Sequence, residues 1–173
     1  MMSYPWYGVV EFSDGLEQGD FIVNCPIIIP PTNIEEGIMK CSVKVNEYDV
    51  IVISQSCDLR YGKIEMVLVC PFYSLGELEK RDLSFRKKRE QLRKGQLIYY
   101  HLLNKCDIKG FETDFLVVDF RRVYSLPLSW VIDLVSKRGK RLRLLPPYRE
   151  HLAQSFARFI MRIGLPYDIP KFD

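Results

Sequence analysis

Asp49-Val50-Ile51-Val52-Ile53-Ser54 sets four β-branched residues in a row between polar ones. Glu65-Met66-Val67-Leu68-Val69-Cys70 follows with nearly the same pattern. A strand with one wet face alternates polar and apolar residues. An unbroken apolar run instead suits a strand covered on both faces. The two runs therefore predict neighbouring strands at the centre of a sheet. Gly62-Lys63 between them suits a hairpin-type connection.

Upstream of this pair, Gly19-Asp20 signals a turn into a strand over 21–25. A second strand over 27–29 is stopped by Pro30-Pro31, residues 32–39 read as a loop, and 41–45 alternates weakly. Downstream, residues 75–95 carry strong helix formers, with Leu75, Leu78, Leu83, Phe85 and Leu92 as the apolar set and Gly95 as the stop. Strands are expected at 96–103 and 115–124, joined by a turn containing Gly110.

The last third reads as helical. Pro127 opens a helix with Leu128, Val131, Ile132 and Val135 on one face and Gly139 at its end. An extended link leads to Pro147, which sits near the first turn of a second helix. Its core positions are Leu152, Phe156, Phe159, Ile160 and Ile163, and Gly164 and Pro166 stop it. Strands followed by helices predict an α+β fold rather than a parallel βαβ design. The expected form is a small barrel or curled antiparallel sheet with an inserted helix and two C-terminal helices, in a single domain over 1–173.

Length and composition set the outer limits. The chain has 173 residues, 47% of them hydrophobic and 27% charged, which excludes disorder and coiled coil as the main theme. The first residues, MMSYPWYGVV, lack the basic start and apolar run of a signal peptide. The longest apolar runs are far short of the roughly 20 residues of a membrane helix, so no membrane partner is expected. Five scattered cysteines and two histidines argue against a disulfide framework and a metal site, and the expected compartment is the cytoplasm. No P-loop, dinucleotide fingerprint, H-E-x-x-H or G-x-S-x-G occurs, so no cofactor is expected.

The net charge of +3 hides a dipolar sequence. Residues 1–79 hold 4 Lys/Arg and 12 Asp/Glu, and residues 80–173 hold 21 and 10. The helical segment contributes Lys80, Arg81, Arg86, Lys87, Lys88, Arg89, Arg93 and Lys94. A second cluster is Lys137, Arg138, Lys140, Arg141 and Arg143, with no acid between Asp133 and Glu150. Arg86, Lys87, Arg89, Lys137, Arg138, Lys140, Arg141 and Arg143 are the candidate contacts to nucleic-acid phosphates. The structural alternatives are a solvated helix face and helix-dipole complementarity.

Two further constellations carry possible chemistry. Ser54-Gln55-Ser56-Cys57-Asp58-Leu59-Arg60 places polar and reactive groups directly after a buried strand, where sites are commonly built. Gln55, Cys57 and Arg60 are candidate ligand contacts. Cys57 as a nucleophile would need a base, for which His101 is the candidate. The alternative is a turn held by its own side chains, with Cys57 a small buried hydrophobe. Arg121-Arg122 lies inside a predicted strand, so one of the two should face inward and pair with Asp58, Asp119 or Asp49.

Four short motifs resemble the PemK/MazF family of toxin endoribonucleases. They are Gly19-Asp20-Phe21-Ile22-Val23, Val50-Ile51-Val52-Ile53-Ser54, Leu68-Val69-Cys70-Pro71 and Val123-Tyr124-Ser125-Leu126. The resemblance implies an SH3-like barrel with helical additions and a bacterial toxin–antitoxin or phage-defence setting. It also implies a catalytic Arg followed by Pro before the central strand, and a Thr after the strand-end Pro. Those places hold Tyr48-Asp49 and, as the nearest hydroxyl, Ser74. The leading expectation is therefore a nucleic-acid-binding or accessory protein that meets RNA or DNA through its basic half. An endoribonuclease with displaced groups, drawn from Ser54, Asp58, Arg121 and Arg122, is the alternative. The third reading is a protein–protein module or homo-oligomer, with the acidic half of one copy meeting the basic half of another.

Overall fold

The computed structural model describes residues 4–30 and 43–161. The two apolar runs lie in β3 (Lys44–Val52) and β4 (Met66–Ser74), which pair antiparallel with Val52 opposite Val69 and Val50 opposite Pro71. Their side chains divide by parity, as the period of two requires. Ile51, Ile53, Cys70 and Phe72 enter one hydrophobic cluster, and Val50, Val52, Val67 and Val69 enter another. Val50, Ile51, Val52, Val67 and Val69 are all fully buried, so both faces of the sheet are covered.

Around this pair the chain builds an open antiparallel sheet, and the protein is α+β. β2 (Phe21–Ile29) flanks β3. β4 pairs with β7 (Tyr124–Pro127) along its first half and with β6 (Leu116–Asp119) along its second. β5 (Tyr100–Leu103) closes the far edge. A separate two-stranded sheet joins β1 (Tyr7–Val10) to β8 (Arg141–Leu144). Five helices complete the order: α1 (Ser56–Arg60), α2 (Leu75–Arg81), α3 (Ser84–Arg93), α4 (Leu128–Arg138) and α5 (Tyr148–Ile160). α4 covers one face with Val131 and Val135, and α5 covers the other with Leu152 and, partly, Phe156 and Phe159.

Several expected elements are corrected. The connection after β3 contains α1 rather than a bare turn. Residues 75–95 form two helices, because Asp82 leaves helical geometry and its carboxylate accepts the Ser84 N–H (2.9 Å) and hydroxyl (2.9 Å). The strand expected over 115–124 is split into β6 and β7 by a turn at 120–123, where Asp119 accepts the Arg121 N–H at 3.0 Å. The extended link before α5 is β8, and β1 was not foreseen. Two strands expected over 21–29 are one strand, interrupted by a bulge at Asn24 (φ 51°). Ile132 and Ile160 are exposed rather than in the core. The loop expected at 32–39, and Ile163, Gly164 and Pro166, lie outside the described residues.

The two sheets meet at Gly19-Asp20. The Gly19 N–H donates to the Val52 carbonyl (2.9 Å), the Val52 N–H donates to the Asp20 carbonyl (3.0 Å), and the Leu144 N–H donates to the Gly19 carbonyl (2.9 Å). Gly19 has φ +85°, and a Cβ there would stand 3.0 Å from the Leu144 Cβ and 3.1 Å from its carbonyl oxygen. Any larger residue is thus opposed by both conformation and space. The Asp20 carboxylate is fully buried and accepts Arg141 Nε (2.8 Å), Arg143 Nη2 (2.9 Å) and Arg143 Nε. Burial alone would lower the Arg143 pKa, but the hydrogen bond and charge of Asp20 raise it.

Removing one partner of a buried pair leaves an uncompensated charge, at a cost of about 3–5 kcal/mol. Asp20→Ala is expected to lose stability in that range, read from the urea unfolding midpoint. A loss below about 1 kcal/mol, the value of an exposed pair, would contradict the role given to Asp20.

Candidate functional site

The polar loop after β3 is a structural tie. The Ser54 hydroxyl accepts the Leu68 N–H (2.9 Å), and the Ser56 hydroxyl accepts the Gln18 N–H (3.1 Å). Buried Gln18 donates its amide to the Ile53 carbonyl (2.7 Å), and Arg60 pairs with Glu17 (2.8 Å). Gln55 is exposed and leads into α1 without a side-chain cap. Cys57 is exposed, not buried, with its sulfur 3.7 Å from Asp58 Oδ1. His101, the base it would need, sits on β5 at the far edge of the sheet, stacked on Phe120. Burial, with the charges of His151 and Arg158, pushes His101 down to about 4.

Part of the basic half of the chain is neutralised from within. Arg141 and Arg143 are buried, with their guanidinium groups on Asp20. Arg143 and Arg149 reach Glu17 at 3.5 and 3.1 Å. Lys140 pairs with Glu11 (3.0 Å) and Lys137 with Asp133 (2.6 Å), both on exposed ground where such pairs add little. On α3, Arg89 forks onto buried Glu79 and Arg86 lies 4.0 Å from the same carboxylate, leaving Lys87 as the fully exposed candidate there. The acidic first half therefore meets the basic second half at several ion pairs inside one chain.

Arg121 and Arg122 sit in the turn between β6 and β7, not in a strand. Arg121 forks onto Asp119 (2.9 and 2.7 Å), as one of its expected partners, and lies 4.7 Å above the Tyr100 ring. Ser54, Asp58, Arg121 and Arg122 are not brought together. Of the four, only Arg122 lines the large groove of the molecule.

That groove holds roughly 940 Å³ and is shaped by β2, β3, β4, α2, the turn at 110–113, the turn before β7 and the end of α4. Phe21 and Phe72 form part of its floor, edge to face at 5.1 Å. Tyr48 and Tyr73 line it, with Tyr48 stacked on Tyr124 at 5.6 Å. Arg81 lies 5.7 Å over the Tyr73 ring. Tyr73 shifts the Arg122 pKa upward, and Arg122 makes no ion pair among the described residues. Arg138, also in the lining, donates to the Val23 and Asn24 carbonyls at the β2 bulge and meets no carboxylate among the described residues.

Tyr48 and Ser74, at the places where the family likeness implies Arg and Thr, both line this groove. The Ser74 hydroxyl is committed to the Glu77 N–H (3.1 Å), capping α2. Asn46 donates to the Tyr48 hydroxyl (3.3 Å), and that bond lowers the Tyr48 pKa. Four carboxylates, Glu47, Asp49, Glu77 and Glu112, complete the polar lining, with Asp49 accepting the Asn24 N–H (2.7 Å). Tyr48, Tyr73 and Tyr124 escape a sequence reading because three different strands supply them, and no local spacing links them. Among the described residues no cluster of His, Cys, Asp and Glu is arranged to hold a metal ion, and no helix is long and apolar enough to cross a membrane.

Burial pushes the Cys25 thiol up to about 11 and the Cys70 thiol up to about 12, while Cys106 is also buried. Maleimide labelling at neutral pH is expected to modify Cys57 well before these three, which should label only on unfolding. Labelling of Cys70 as fast as Cys57 in the folded protein would contradict the core described above.

Compared with known proteins, the chain matches no protein-family model and no curated protein sequence, so its likeness to the PemK/MazF family rests on the four short motifs alone.

Proposed function

We propose that the groove binds single-stranded nucleic acid, with RNA the preferred substrate. The observation that carries this reading is Arg81 lying over the ring of Tyr73 with Arg122 in the same lining, neither arginine being met by a carboxylate among the described residues. Alternating guanidinium groups and aromatic faces suit a strand whose bases stack while its phosphates meet cations. The rim carboxylates disfavour indiscriminate phosphate binding. They can accept hydrogen bonds from the exocyclic amines of bases, which favours sequence-selective contact. In this reading α3 is a secondary surface at most, since Arg86 and Arg89 face Glu79. The preference for RNA, a cytoplasmic accessory role and the toxin–antitoxin or phage-defence setting come from the family likeness.

A second reading, RNA cleavage, draws on Tyr48. Its phenol has a lowered pKa and shares the groove with Arg122, which would stabilise charge developing on a phosphate.

Fluorescence anisotropy with a labelled RNA decamer tests the binding. Three phosphate contacts give a log–log salt slope of about −2 for a single strand. Affinity should therefore fall about 40-fold between about 50 and about 300 mM salt. Arg122→Ala should cost about tenfold and flatten the slope by roughly one contact, and Lys87→Ala should change little. Tyr73→Ala should cost about 1–3 kcal/mol through lost stacking. Absence of binding at low salt, or equal losses in the Arg122 and Lys87 variants, would overturn the groove assignment. Shortening of the RNA during incubation, abolished by Tyr48→Phe, would favour the second reading.

A further inference from the structure

A second cavity of roughly 630 Å³ opens where β5, α5 and the end of α3 come together, with Trp6 contributing from the start of the chain. Its charged lining has one sign. Arg93, Lys94 and Arg158 line it with the imidazoles of His101 and His151, and among the described residues no Asp or Glu does. The large groove, by contrast, carries four carboxylates, so a lining free of acids is not a general property of this surface.

Most of the cations here meet no carboxylate among the described residues. Arg93 is held by Glu90 (2.9 Å), which stands outside the lining. Arg158 reaches only the Ser155 hydroxyl (3.3 Å), and neither Lys94 nor His151 meets a carboxylate among the described residues. His101 lies half-buried against Phe120, with His151 and Arg158 of α5 facing it. Burial above all, with His151 and Arg158 beside it, pushes the His101 pKa down and leaves its imidazole neutral. Leu97, Ile98 and Trp6 provide an apolar wall, and Ile98 is left substantially exposed. An acid-free cationic end beside an apolar wall, in a cavity of ligand size, is the usual make-up of a small-molecule site.

We propose that this cavity binds a small phosphate monoester bearing a planar ring, of the nucleoside monophosphate class. The phosphate meets Arg158, His151 and Lys94, and the ring lies along the Trp6–Ile98 wall. The neutral imidazole of His101 offers one donor and one acceptor at the boundary between the two parts. This site is separate from the groove and does not depend on nucleic-acid binding there.

The test is isothermal calorimetry on the full chain with adenosine monophosphate, adenosine and inorganic phosphate, paired with NMR of the histidine ring signals. Saturable binding of the monophosphate is expected at sub-millimolar concentration, with adenosine and inorganic phosphate each at least tenfold weaker. The His101 ring signals should shift with the monophosphate. Arg158→Ala, at an exposed position, should weaken binding about tenfold without moving the unfolding midpoint, since a hydrogen bond to a charged group is lost. Arg122→Ala, in the other groove, should leave it unchanged. Failure of the monophosphate to saturate by about 1 mM would overturn the proposal, as would indifference to Arg158→Ala or loss on Arg122→Ala. Inorganic phosphate binding as tightly as the monophosphate would overturn the ligand class.

Discussion

The carboxylate of Asp20 is fully buried, and two arginines from β8 converge on it. A carboxylate is taken out of water at high cost unless it is paired and hydrogen-bonded. Two guanidinium groups exceed one carboxylate in both charge and donors. The excess donors go to the carbonyls of Glu11, Asp14 and Gly15, and part of the excess charge to Glu17. The loop at 11–18 is thereby wrapped around the ends of Arg141 and Arg143. The same junction lets Gly19 bond to Val52 of the main sheet and to Leu144 of the small one. Arg138, Lys140 and Leu142 then stand beside β2 and β4, where they line the groove.

This junction also explains the charge asymmetry of the chain. Glu11, Glu17 and Asp20 from the acidic half are matched by Lys140, Arg141, Arg143 and Arg149 from the basic half. A dipolar sequence becomes a self-neutralising fold, and the formal excess of the second half overstates the charge offered to a partner. Of the cations that meet no carboxylate among the described residues, Arg81, Arg122 and Arg138 line the groove, and Lys94 and Arg158 line the cavity beside α5. Exposed pairs such as Lys137–Asp133 remain available for exchange with a ligand, because water competes well with them.

The elements that could be read from the chain are those whose signal is local. The runs ending at Ser54 and Cys70 announced doubly covered strands, and parity placed their side chains in two separate clusters. Gly139 and Pro127 bounded α4 because capping chemistry is local too. The break at Asp82 is local as well, since an Asp side chain can accept the backbone N–H two residues on, as it does from Ser84, but the surrounding helix formers obscure it. β8 was hidden because Lys140-Arg141-Leu142-Arg143-Leu144 reads as basic and exposed until Asp20, over a hundred residues earlier, supplies the counter-charge. The site was harder still. Tyr48, Tyr73 and Arg122 come from β3, β4 and the turn before β7, and only the pairing of those strands assembles them. Cys57 and Asp58 drew notice as reactive residue types, yet their loop serves to tie Gln18 and Glu17 to the end of β3.

Under the proposed function, nucleic acid lies in the groove beside Tyr73 and Arg122 rather than along the basic helix α3. Photocross-linking with a 4-thiouridine-substituted RNA, followed by mass-spectrometric mapping, addresses it directly. The account predicts adducts on the peptides carrying Tyr48, Tyr73 and Phe111. Adducts confined to residues 84–94, with none in the groove, would contradict it.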